Sequence, residues 1–497
     1  MSLIKRSSSA TFWCGVDVFV RQFFLFCFSL LLARLLDPEH FGAIAILYLF
    51  FGIASTFVDG GFSSALIQRQ DTNHTDESTV FWFNLGMGIT IAMLVWLLGP
   101  YFLQFFDIGV LIPLTWVLAL NILFASLGSI HCALLTKQLN FKLQMIIGLV
   151  ATAVSGLFAL LMAIGGFGIW ALAAQALLSS GITTCLFWYF NPWRPAFQFS
   201  LHSARELFAF GGYFMASGLI DVAYAHAYYL LIGKIYGMRI LGVYERANNS
   251  RQMPVSLLSH ILSSVAFPIF SIASKDKPTL RYGLRFATRT MMFINVPVML
   301  GLALVSEPLV LVLLGEKWLS VAPIFQALCI GSTLWPLHVI NLSALVAQGR
   351  SKLCFLLDSV NKLFGCVLLI SASLIYGVDG VAWSLSLFYF FCFVLTAHYS
   401  RLYIDYGPVA QAHDILPTLC ISLVTLLTAQ MIINVLNASA ICSLIITFLF
   451  GSSMFVTLSY ALKLKELYNI LRIVMPNSRF SAATTELNIV ADGRERN

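Results

Sequence analysis

The sequence predicts an all-α, polytopic membrane protein with about fourteen transmembrane helices. Three observations predict it. Apolar residues make up 59% of the 497, against ~45–50% in soluble proteins, and charged residues 10%, against ~25%. The mean hydropathy is +0.87. Apolar runs of about 20 residues, enough to cross a bilayer, recur from end to end. So few charges cannot cover a soluble surface of this size. An aqueous globular protein, a disordered chain, a collagen-like chain and a single anchored soluble domain are all excluded.

The spanning stretches fall at roughly 10–35, 41–67, 79–106, 110–135, 142–164, 167–190, 207–233, 247–272, 283–305, 320–346, 353–375, 379–401, 413–434 and 438–462. The first run contains Asp17 and Arg21 and lacks a small-residue cleavage site, so it is expected to be a retained helix rather than a signal peptide. The split at Gly165-Gly166 and the boundary at Gly377 are the least sharply marked. From Asn477 the chain turns polar, and disorder is expected there.

The formal net charge is +7, and the basic residues sit in the gaps between runs. Counting alternate gaps puts Lys5, Arg6, Arg69, Lys137, Lys142, Arg194, Arg205, Lys275, Lys277, Arg281, Arg350, Lys352, Arg401 and the tail cluster on one side. The other side holds Arg34, Lys234, Arg239 and Lys317, plus Arg246 and Arg251 if those are exposed. By the positive-inside rule both termini are expected in the cytoplasm, which requires an even number of spans. No basic–aromatic module for nucleic acid is visible. The ten cysteines are dispersed without a C-x-x-C pair, so neither a disulfide framework nor a zinc site is expected.

A repeat is visible at an offset of 200: Leu30-Leu31-Leu32-Ala33-Arg34-Leu35 faces Leu230-Leu231-Ile232-Gly233-Lys234-Ile235, and Phe41-Gly42 faces Leu241-Gly242. Apolar matches are cheap in such a chain, but Arg34/Lys234 and Gly42/Gly242 fall at the same helix–loop–helix junction. Gly168-Ile169-Trp170 also resembles Gly380-Val381-Ala382. These matches predict a duplication into two six-helix lobes, 1–200 and 201–405, related by a pseudo-two-fold axis along the membrane normal. Two extra spans follow at 406–470, then a polar cytoplasmic tail, 471–497.

Ionisable residues inside a membrane are costly and mark candidate sites. Asp17 and Arg21 are four apart, the favourable acid-before-base spacing, as are Asp358 and Lys362. The first pair is either self-neutralised or lumen-facing. Asp59, before Gly60-Gly61, is either solvated near the headgroups or a gate contact. Asp221, Tyr224 and Tyr228 form a polar aromatic stripe expected to line a cavity, with His226 a satisfied core histidine. Glu245 to Gln252 is polar all round and carries Arg246, Asn249 and Arg251, too polar for lipid. It is either an external loop or, as favoured here, part of a water-filled vestibule whose arginines suit a carboxylate or phosphate. Arg281, Arg285 and Arg289 form a stripe entering the ninth span; the first two suit snorkelling, and Arg289 lies deeper. No Walker A sequence, catalytic motif, metal-ligand spacing or selectivity-filter motif is present, so no cofactor or metal is expected.

Several motifs carry a family resemblance. They are Ala33-Arg34-Leu35-Leu36-Asp37-Pro38-Glu39-His40-Phe41-Gly42; Asp59-Gly60-Gly61-Phe62 with Ala65-Leu66-Ile67-Gln68-Arg69; Leu241-Gly242-Val243-Tyr244 with Arg246-Ala247; Phe267-Pro268; and Gly315-Glu316-Lys317-Trp318. In this order they resemble the polysaccharide-transport branch of the multidrug/oligosaccharidyl-lipid/polysaccharide superfamily, most of all the colanic-acid and teichuronic-acid exporters. The resemblance covers roughly residues 1–470. It implies two six-helix lobes plus two helices, an inner-membrane location and a lipid-linked sugar as cargo. It assigns no role to Arg285 or Arg289. The expected function is a non-enzymatic flippase that moves an undecaprenyl-diphosphate-linked oligosaccharide by alternating access. Polymerase and chain-length machinery are candidate partners. The rivals are a small-molecule exporter of the same superfamily and an integral-membrane polymerase or ligase, the latter disfavoured by the short external loops.

Overall fold

The computed structural model describes residues 20–59, 62–69, 72–273 and 276–474. Among them all regular structure is helical. Helix α1 covers 20–35. It is followed by α2 (Pro38–Asp59), α3 (Phe62–Gln68), α4 (His74–Phe105), α5 (Ile112–Lys137), α6 (Phe141–Ile164) and α7 (Ile169–Phe190). Then come α8 (Leu201–Ala273), α9 (Lys277–Leu304), α10 (Ser306–Leu313), α11 (Val321–Ser332), α12 (Trp335–Ala347), α13 (Ser351–Ile404) and α14 (Pro408–Val435). A last span runs over Ala440–Ala461, with a π-helical stretch at Ile446–Gly451, and a short amphipathic helix, Lys465–Val474, closes the described chain.

Eleven of the described helical segments are long and apolar enough to cross a membrane. Two of them, Met215–Ser256 and Ser351–Ile404, run to 42 and 54 residues, longer than a bilayer needs. Each contains a glycine with non-helical backbone, Gly237 at φ 83° and Gly377 at φ 68°. Only glycine enters that region at little cost, so the breaks are written into the sequence. The sequence boundary at Gly377 coincides with the second break. The first falls ten residues before the expected start of the eighth span at 247, so the polar stretch Glu245 to Gln252 is helical, and the external-loop alternative does not hold. The expected break at Gly165-Gly166 is also present, where α6 ends at Ile164.

The helices start on local signals. Asn73 and Asp76 form a capping box at α4, with the Asp76 amide donating to Asn73 Oδ1 at 2.8 Å and the Asn73 amide donating to Asp76 Oδ2 at 3.1 Å. Asp276 caps α9 by accepting from the Thr279 amide at 3.1 Å. Their outer faces are apolar rather than polar: Met93, Leu97, Leu161 and Ile164 are all exposed. That is the surface lipid requires.

The chain divides into two compact units, 1–246 and 247–497. In the first, Phe62, Leu66, Phe81, Ile130 and Leu134 form a core between α3, α4 and α5. The loop after α7 is tied to α4 through Trp82 Nε1, which donates to the Ala196 carbonyl at 2.8 Å. In the second, Met292, Val296, Leu337, Phe393, Ala397 and Ile415 join α9, α12, α13 and α14. Trp318, in the Gly315-to-Trp318 turn, is fully buried, which explains the motif as a packing device.

Candidate functional site

The first unit gathers aromatic and charged groups around the last part of its chain. Tyr228 is buried and its ring stacks on Tyr244 at 6.3 Å, while Tyr224 and Tyr228 bring their hydroxyls to 3.4 Å. Asp221, on the same stripe, is exposed. His226 stands edge-on to Tyr229 and lies against Gly52 of α2.

Arg246 is 4% exposed. Its guanidinium donates to the Ser29 hydroxyl, lies 4.4 Å from the Phe41 ring and comes within 3.9 Å of the buried Glu245 carboxylate. Helical periodicity could not foresee Ser29 and Phe41, because they come from α1 and α2, about 200 residues earlier in the chain.

Arg251 belongs to the second unit and is 5% exposed. It donates to Ser332 Oγ at 2.8 Å, Tyr389 Oη at 3.0 Å, Asn248 Oδ1 at 2.7 Å and Gln252 Oε1 at 3.1 Å. This is how a helix so polar is accommodated: its charges turn onto hydroxyl and amide oxygens of neighbouring residues. Asn249 and Gln252 are exposed on the same turn. Both guanidiniums are buried against these partners.

Asp358 and Lys362 pair at 2.5 Å along α13, as their spacing predicts. Arg21 is exposed on α1, Asp17 lies outside the described residues, and so does the side chain of Asp59.

Arg289 brings in residues that the sequence left unremarked. Asp414 of α14, with a side chain only 2% exposed, accepts from Arg285 Nε at 2.7 Å and Nη2 at 2.9 Å, and from Arg289 Nη2 at 2.5 Å. Tyr406 donates to the same carboxylate at 2.8 Å. Burial, and next the Asp414 carboxylate, push the Tyr406 hydroxyl well above its ordinary pKa, so it stays a donor. Arg289 also reaches toward Glu466 of the C-terminal amphipathic helix, at 3.7 Å. Beside this group Asn341 and Gln411 exchange two hydrogen bonds, at 2.9 and 2.8 Å. Asp414 sits at the edge of an apolar run, where an acid reads as interfacial. The only clue to it was two arginines needing a counter-charge.

Among the described residues no group of three or more His, Cys, Asp or Glu side chains is placed to hold a metal ion. What the arrangement offers is charge and hydrogen bonding inside spanning helices: Arg246 and Arg251 five residues apart on α8, with exposed amide side chains between and beside them.

Comparison with known proteins agrees in sequence and in fold. A family model described as polysaccharide biosynthesis protein matches residues 31–323. The teichuronic acid biosynthesis protein TuaB of Bacillus subtilis (strain 168) is 32% identical over 332 residues, 66% of this chain and 67% of that protein. The lipopolysaccharide biosynthesis protein WzxC of Escherichia coli (strain K12) is 30% identical over 368 residues, 71% of this chain and 73% of that one. Among solved structures, the lipid II flippase MurJ in an inward closed conformation superposes with a TM-score of 0.71 at 17% identity, covering 92% of this chain and 99% of that one. An inward-facing multidrug resistance MATE family transporter gives 0.64 at 14% identity, over 79% and 94%. These structural likenesses establish the fold.

Proposed function

Because the chain belongs to the polysaccharide biosynthesis protein family, we propose that it is a flippase for a lipid-linked oligosaccharide, moving undecaprenyl-diphosphate-linked repeat units across the inner membrane by alternating access. The observation that carries the reading is the pair of arginines buried in the spanning part of α8 within this family's fold. A membrane helix keeps such charges at a cost, so their retention points to an anionic cargo. The diphosphate would supply the partner charge, and guanidinium binds phosphate oxygens bidentately. Sugar and diphosphate would travel along the polar path, with Asn249, Asp221, Tyr224 and Tyr228 lining it, and the prenyl tail would stay in lipid. Asp17, Arg21, Asp59, Arg289, Asp358 and Lys362 are proposed to gate or hold the helices. The two-lobe boundaries at residues 200 and 405, the count of fourteen spans and cytoplasmic termini belong to the same proposal.

Deletion of the gene is expected to remove surface polysaccharide and to accumulate its lipid-linked precursor on the cytoplasmic leaflet, with both restored by the intact gene. Normal surface polysaccharide in the deletion strain, together with raised susceptibility to a drug panel, would instead identify a small-molecule exporter. The purified protein is expected to leave a labelled lipid-linked donor chemically unchanged in detergent; polymerised product there would establish an enzyme.

A further inference from the structure

Gly42 on α2 and Gly242 on α8 pack against each other's backbone. A Cβ built on Gly42 would lie 1.9 Å from the Met238 carbonyl oxygen and 2.9 Å from the Gly242 nitrogen. A Cβ built on Gly242 would lie 1.8 Å from the Pro38 carbonyl oxygen and 3.0 Å from the Gly42 nitrogen. The two sets of contacts exchange under a shift of 200 residues, Pro38 with Met238 and Gly42 with Gly242. That reciprocity defines an isologous contact across a local two-fold axis.

The surroundings repeat at the same offset. Leu32 and Ile232 are buried, as are Ala33 and Gly233; Arg34 and Lys234 are exposed, as are Leu35 and Ile235, and Glu39 and Arg239. From Phe41 to Leu47 and from Leu241 to Ala247 every residue is buried. Two copies of one junction therefore meet backbone to backbone, as small residues allow in membranes. The atoms in the way are carbonyl oxygens, which cannot swing aside as a side-chain end can.

We propose that this glycine crossing is the outer seal of the transporter: closed as seen here, it must part for cargo to leave, and its closed state has no room for a single methyl group. The inference rests on the alternating-access reading above and on the charge bias that places Arg34 and Lys234 outside. Alanine at either glycine forces the helices apart, which shifts the population toward the parted state without touching the cargo path. Because both glycines serve one contact, the double substitution adds little to either single one.

The test uses a cysteine-free background carrying Val243→Cys, a position buried beside the crossing. An impermeant thiol reagent added to intact cells is expected to label it slowly with both glycines in place, and about tenfold faster with Gly42→Ala or Gly242→Ala, as overpacking of a tight contact demands. Gly52→Ala on the same helix is the control: its Cβ would meet the Val222 and His226 side chains at 3.1 and 3.3 Å, which can move, so labelling stays slow. Gly42→Ala that inserts and melts normally yet labels no faster overturns the proposal. A second arm keeps both glycines and bridges Glu39→Cys to Arg239→Cys with a short bis-thiol reagent. Export should stop, and a bridged protein that exports at full rate also overturns the proposal. If the unbridged protein exports nothing, the flippase reading fails, while the labelling comparison still decides whether the crossing opens.

Discussion

Arg246 and Arg251 show how a charge survives inside a spanning helix: each is surrounded by oxygen acceptors or an aromatic face before any cargo arrives. Alanine at either position leaves those acceptors unmatched, a loss of about 1–3 kcal/mol that insertion tolerates. Surface polysaccharide should fall in both variants at unchanged membrane levels, and lysine should restore part of it by keeping the charge without the fork. Normal export by both alanine variants would remove them from the cargo path. Asp414 yields a different, asymmetric prediction. Two arginines and Tyr406 share its carboxylate, so Asp414→Ala strands all three donors, whereas Arg285→Ala leaves Arg289 and Tyr406 in place. With Arg285 38% and Arg289 26% exposed, water softens the loss to about 2 kcal/mol for Asp414→Ala and under about 1 kcal/mol for Arg285→Ala. Thermal melts in detergent check the order, and equal shifts would show that the second arginine takes no share.

At the scale of the helix, the decisive residues are the breakers. Gly377 stands at φ 68° within a helical run of 54 residues, and nothing lies within 4 Å of where its Cβ would be. Gly377→Ala therefore meets backbone strain alone, a cost of about 1–2 kcal/mol. Gly451, with helical backbone and equally open space, is the matched comparison, where alanine should be neutral or slightly stabilising. Equal melting temperatures for the two variants would mean that the break at Gly377 is not obligatory. The helix caps and the apolar lipid faces need no such test, since each follows from adjacent sequence.

For the whole molecule, orientation is the property to test. Single cysteines at Asn73 and Lys277 should resist an impermeant thiol reagent added to intact cells, since the positive-inside rule predicts that the basic gaps on that side stay in the cytoplasm. Labelling of Asn73→Cys from outside would reverse the assigned topology, and with it the outer position of the glycine crossing. The second unit closes on a polar cluster linking α9, α12 and α14 to the amphipathic helix Lys465–Val474, through Asp414, Gln411 and Glu466. Helix α14 and the amphipathic helix are thereby fastened to α9 and α12 by charge and hydrogen bonds as well as by apolar packing.

The sequence by itself determined that the chain is a helical membrane protein, that Gly377 interrupts one of its apolar runs, and that a junction near residue 40 recurs near 240. Those properties are local or additive: hydropathy, backbone permissiveness and charge counts sum along the chain without knowledge of neighbours. Beyond the i, i+4 pair of Asp358 and Lys362, tertiary structure decided which partners the charges meet. Arg289 needed Asp414, 125 residues away, and Arg246 needed Ser29, 217 residues away. The polar stretch from Glu245 looked like a loop or vestibule because its satisfying partners lie on helices that no periodicity connects to it. Likewise Gly42 and Gly242 were legible as a repeat, but that the two copies touch is a matter of three-dimensional symmetry, which a one-dimensional offset cannot express.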